Sequence, residues 1–159
     1  MQALRDLYYL FFPDVCKCCD APLLENEEQI CIRCRFDLPI AEMTNISNNN
    51  VEKAFYGRID IAFATALLFY ERKGIVQKLI HRLKYKGQED LGIFFGKWLG
   101  EELAASERLP KIDYVIPVPI HKRKLRKRGY NQVTKFAQEI ATAINAVFND
   151  DQLLSVASE

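Results

Sequence analysis

Two short cysteine pairs, Cys16-Lys17-Cys18-Cys19 and Cys31-Ile32-Arg33-Cys34, constrain this chain more than any other feature. A CxxC turn sets two thiolates about 3.5–4 Å apart on one side of a tight loop, and two such turns complete a tetrahedron around Zn²⁺. The 11-residue spacer between the pairs is long enough for a short hairpin. The spacing assigns Cys16, Cys19, Cys31 and Cys34 as zinc ligands. Four thiolates leave the metal no open position, so its role is structural. Two other readings stand beside this one: a set of buried free thiols, and redox-active cysteines, which a lone CxxC would favour more. Cys18 complicates the set, because it can replace Cys16 or Cys19, although adjacent Cys18-Cys19 makes a poor chelate. A module this small does not hold together by apolar burial alone.

The 159 residues predict one domain with a small appendage, bounded as a helix-plus-zinc-ribbon module over 1–44 and an α/β domain over 51–159. Residues 3–12 read as a short amphipathic helix stopped by Pro13. The apolar run there is only Leu7–Phe12, with Asp6 before it and no small-residue cleavage site after it, so a signal peptide is not expected. No run approaches the roughly 20 apolar residues of a membrane helix. The expected compartment is the reducing cytoplasm, where cysteines serve as metal ligands or catalytic groups more often than as disulfides.

Residues 45–50 read as a loop or linker and residues 54–70 as a strand, with Ile61, Phe63, Thr65, Leu67 and Phe69 on one face. Gly74 to Lys86 predicts a helix with Val76, Leu79, Ile80 and Leu83 as its apolar stripe, ended by Gly87. Leu91 to Leu103 predicts a second helix. Its Gly92, Gly96 and Gly100 form a stripe, and since each interior glycine costs about 1 kcal/mol, another backbone is expected to pack closely there. Ile112–Val118 reads as a buried-type strand, and Tyr130 to Val147 as a third helix with Val133, Phe136, Ile140, Ile144 and Val147 inward. The order from Ile112 onward reads as the opening of a parallel α/β sheet.

The net charge of +1 conceals an asymmetry. Residues 1–60 hold 6 Lys/Arg against 10 Asp/Glu; residues 61–159 hold 16 against 11. Residues 72–86 and residues 121–128 each carry six Lys/Arg and no acid. Such patches point to a polyanion or a phosphorylated ligand. The second patch is read as a loop between the strand at 112–118 and the third helix. The unpaired N–H groups of that helix start, Gly129, the amides of Asn131 and Gln132, and the Arg126 and Arg128 forks together suit phosphate. A solvated loop that binds nothing in particular is the competing reading. His121 is expected to be a loop residue rather than a catalyst. Tyr85 and Tyr130 either stack on bases or are half-buried structural tyrosines.

Three stretches together resemble the ComF family of bacterial competence proteins, which are phosphoribosyltransferase-like. They are the doubled CxxC, Tyr70–Gly74 leading to Leu79–Gly87, and Ile116-Pro117-Val118-Pro119 followed by Arg126-Lys127-Arg128-Gly129-Tyr130-Asn131-Gln132. The likeness is to the N-terminal two-thirds of such a protein. It implies a partial type I phosphoribosyltransferase-like α/β fold behind a small four-cysteine zinc-ribbon module. It also implies a role in DNA uptake during natural transformation, with single-stranded DNA and a helicase-type protein as partners. The stretch Pro119 to Asn131 would then help hold the diphosphate of a phosphoribosyl-diphosphate-like ligand, with Arg82 and Lys84 contributing from the first patch. The family's Asp-Asp…Thr-Thr-Gly loop is lacking, since Asp150-Asp151 runs on into Gln152-Leu153-Leu154. The chain is therefore expected to be a fragment, a truncated gene product or a shortened protein with another use, catalytically inactive as given, with Mg²⁺ relevant only if the missing part were present. A zinc-ribbon module that binds single-stranded nucleic acid without enzymatic activity is the alternative; an intact enzyme of another type is a third.

Overall fold

Tyr114 and Val115 pair in parallel with Val147 and Phe148, and everything between these two short strands crosses over to make that pairing possible. The computed structural model describes residues 13–84 and 88–150. The expected helix at 3–12, the Gly87 stop, Tyr85 and the tail beyond Asp150 lie outside the described residues. The elements are α1 (Ile32–Phe36), α2 (Asn50–Lys53), α3 (Ile75–Leu83), α4 (Glu89–Ala104), β1 (Tyr114–Val115), α5 (Lys122–Arg128), α6 (Thr134–Ala143) and β2 (Val147–Phe148). The regular structure is thus mostly helix, with one small two-stranded sheet among the described residues. No described helix is long and apolar enough to cross a membrane.

The helices α3 and α4 follow their apolar periodicity. Val76 and Leu79 are buried on α3; Leu91, Leu99 and Leu103 are buried on α4. The glycine stripe of α4 faces α6. A β-carbon at Gly96 would lie 2.7 Å from the Phe136 carbonyl oxygen, and one at Gly100 would lie 2.7 Å from the Ala143 β-carbon. The close backbone approach that the stripe predicts is therefore present.

Four expectations are corrected. Residues 54–70 form no strand. After α2 the chain turns, with the Phe55 carbonyl accepting from the Arg58 and Ile59 N–H groups. The stretch that follows forms one isolated antiparallel bridge, Ile40–Leu68, in which Ala41 N–H donates to Leu67 O and Phe69 N–H to Pro39 O. The alternation at 61–69 is present, but a strand needs a neighbour with matching backbone groups. The Ala64 carbonyl instead accepts from the Asn49 side chain. Asn49 is 4% exposed and caps α2 with a reciprocal Glu52 box, so the loop before α2 is a structured junction.

The strand expected at 112–118 shrinks to two residues and is not buried: Tyr114 is 60% exposed and Val118 is 74% exposed. Only β2 pairs with it, and nothing among the described residues covers the outer face.

The third helix is shorter than expected at both ends. It starts at Thr134 and finishes at Ala143. Asn145 takes a left-handed conformation (φ 55°), with Ala146 N–H donating to Ala141 O and Asn145 N–H to Thr142 O. That Schellman-type stop turns the chain into β2 and leaves Val147 exposed rather than inward.

The basic segment is a helix, not a loop. Lys, Arg and Leu are good helix formers. His121 Nδ1 accepts from Arg123 N–H at the start, and Gly129 (φ 86°) closes the end in the left-handed region.

The cysteine module shares its core with the helices. Cys16, Cys18, Ile30, Cys34 and Leu38 form one buried cluster with Leu79 of α3 and Leu91 of α4.

Candidate metal centre and anion basin

The first CxxC is wound into a knuckle by backbone bonds: Cys16 N–H to Ala21 O (2.8 Å) and Asp20 N–H to Cys16 O (3.0 Å). The second sits at the start of α1, where Cys31 is the N-cap. Glu27 holds that turn. Its carboxylate accepts from Leu24 N–H (2.8 Å) and Ile32 N–H (2.6 Å), and these two donors keep it below the usual carboxylate range.

The sulfurs of Cys16, Cys19, Cys31 and Cys34 all lie within 4.8 Å of one another, so the four can hold a metal ion. The Cys19 and Cys31 sulfurs are 3.8 Å apart. A tetrahedron with metal–sulfur bonds of about 2.3 Å has edges of about 3.8 Å, so the spacing fits. Burial alone would raise the Cys16 thiol. The N–H groups of Cys31 (3.3 Å) and Cys18 (3.4 Å) point at its sulfur and, with other bonds to it, bring it down to about 6. Cys16 is thus prepared as a thiolate. Cys34 goes the other way, pushed up by burial and by the neighbouring thiols, a crowding that a cation relieves. Cys18 is buried outside the set; burial, then its proximity to Cys16, pushes it up to about 12, as suits a neutral packing group.

The two basic patches meet. An open basin of about 630 Å³ is lined by His81 of α3 and its C-cap Lys84, by Lys124, Arg126, Lys127 and Arg128 of α5, and by Gly129. Among the described residues no carboxylate lines it. Among the described residues none of the six Lys/Arg of α5 is in an ion pair. Lys122 and Arg126, Arg123 and Lys127, and Lys124 and Arg128 are all like-charged i,i+4 pairs, each costing a helix a few tenths of a kcal/mol.

The remaining expected site residues are committed elsewhere. Arg82 does not line the basin; its Nη2 donates to both oxygens of Asp20, at 2.7 and 2.8 Å. The Tyr130 hydroxyl donates to the Leu83 carbonyl, and the residue is half-buried. Asn131 donates from Nδ2 to Val118 O and accepts at Oδ1 from Val133 N–H. Gln132 accepts from Arg128 at 2.7 Å and borders an apolar cavity of about 270 Å³ between α3, α4 and α6. With α6 starting at Thr134, its free N–H groups do not open at Gly129 as expected. His81 and Lys124 were not singled out from sequence as ligand contacts. His81 and Lys84, three apart on one helix face, carried the signal for it.

No family model, curated protein or solved structure matches this chain.

Proposed function

We propose that this is a zinc-stabilised, single-stranded nucleic-acid-binding protein of the ComF type, acting in the cytoplasm during DNA uptake alongside a helicase-type partner. The observation that carries the reading is the basin, where residues from two acid-free patches converge with no carboxylate among the described residues of the wall. The like-charged helix α5 gains most from a polyanion, because phosphates relieve its internal repulsion. The resident metal is zinc, chosen by four soft thiolate ligands in tetrahedral spacing. The parallel β1–α5–α6–β2 crossover supports a phosphoribosyltransferase-like ancestry, and the same basin suits a diphosphate group. With Asn131 and Tyr130 internally bonded, the grip is on the phosphate backbone and binding is indifferent to base sequence.

The test is fluorescence anisotropy of labelled single-stranded oligonucleotides across a salt series. If about five phosphates are neutralised, log K falls against log salt with a slope near −3.5. Affinity that ignores salt overturns the reading. Competition by inorganic diphosphate reports whether the small ligand uses the same basin.

A further inference from the structure

The metal centre and the anion basin are joined by a short chain of contacts that runs through the last turn of α3. Asp20 directly follows the ligand Cys19, and its backbone is held in the left-handed region (φ 62°) with its N–H on Cys16 O. Its two carboxylate oxygens both accept from Arg82 Nη2 across 62 residues of sequence. The next residue, Leu83, offers one of the carbonyls that a helix end leaves without an internal partner, and the Tyr130 hydroxyl takes it. Tyr130 follows Gly129, which closes α5 and lines the basin. One wall of the basin is therefore tied to the cysteine knuckle on one side and to the end of the basic helix on the other.

We propose that Asp20 and Arg82 are positioning residues of the anion basin: their ion pair transmits the order of the metal-loaded knuckle, through Leu83 and Tyr130, to the basin wall. This rests on the reading of the cysteines as a zinc centre and of the basin as a polyanion site. Arg82 does not touch the ligand; it sets where Lys84 and the Gly129 turn stand. Because coupling is reciprocal, a bound polyanion also tightens the metal by the same factor. The size is limited. Asp20 is 64% and Arg82 32% exposed at the side chain, and a pair of that kind is worth a factor of about two to five.

The sign of the effect separates positioning from simple electrostatics. Asp20→Asn removes a negative charge and Arg82→Gln removes a positive one. A purely Coulombic role moves oligonucleotide affinity in opposite directions; positioning weakens it in both, by about two- to fivefold, with the salt slope unchanged. The double change Asp20→Arg with Arg82→Asp restores part of the loss. Amide hydrogen exchange of the zinc-loaded full chain reads the relay without any ligand. The 128–131 amides exchange faster in either single variant, and faster in the wild type after the metal is stripped.

Unchanged exchange at 128–131 on stripping, or opposite shifts in the two variants, overturns the inference. If exchange propagates while the zinc-loaded wild type binds no oligonucleotide, the relay stands and the ligand reading fails. If the oligonucleotide binds equally with and without metal, the ligand reading stands and the relay fails.

Discussion

A β-carbon on Gly96 would stand 2.7 Å from the carbonyl oxygen of Phe136, closer than real side chains approach a backbone. Gly96→Ala therefore forces α4 and α6 apart. The overpacking costs about 1–3 kcal/mol, against about 1 kcal/mol gained in helix propensity. A net loss is expected, seen as a lower midpoint in thermal unfolding. Gly92→Ala is the control. Its β-carbon meets Lys135 Cβ and Phe136 N at 3.5 Å, an ordinary contact. That variant should be neutral or slightly stabilised, and equal losses for both would contradict this packing.

One zinc per chain is expected by metal analysis, held by Cys16, Cys19, Cys31 and Cys34. Cys18→Ser should keep the metal, because that thiol sits outside the cluster. Cys16→Ser should lose it. Structural zinc in small modules supplies about 10–16 kcal/mol. With Cys16 and Cys34 in one cluster with Leu79 and Leu91, chelation should also be felt in α3 and α4. Loss of metal from Cys18→Ser but not from Cys16→Ser would reassign the ligands.

Replacing Arg126, Lys127 and Arg128 together by Ala removes three cations from the basin wall. At about 0.7 of salt slope per phosphate contact, the slope should flatten from near −3.5 to about −1.4, with all base sequences weakened alike. A slope that survives the triple change would move the site elsewhere.

Glu52 should make stability acid-sensitive. Its carboxylate accepts from Arg108 at 2.9 Å, and this bond, against the opposing effect of burial, holds it below the ordinary value of 4.5. A depressed folded-state value stabilises above the unfolded value, and that contribution disappears as pH falls through the folded one. Arg108 also donates to the Thr44 and Ile46 carbonyls, so the pair ties the segment before α2 to the end of α4. Glu52→Gln should melt lower at neutral pH and lose less on acidification. An unchanged acid profile would show that the pair does not carry the effect.

The cysteine tetrad, α3, α4 and the close approach at the glycine stripe were legible in the order of residues. Each depends on spacing along a short stretch: a tight turn brings both thiols of a CxxC to one side, and a 3.6-residue period gathers one face of a helix. The remainder was decided by partners distant in the chain. The 61–69 alternation fits a strand, yet the described residues supply it with a single bridge at Ile40–Leu68 rather than a ladder, and Asn49 takes one of its carbonyls. The pairing of β1 with β2 joins residues more than thirty apart and depends on the turn at Asn145. The charge of 121–128 was plain, but its helical form brings Lys124, Lys127 and Arg128 onto the basin opposite His81 and Lys84. Arg82 looks no different from Lys84 in sequence. Only the fold sends one to the basin and the other to Asp20, because successive residues on a helix point about 100° apart and each side chain takes the neighbour that tertiary packing brings within reach.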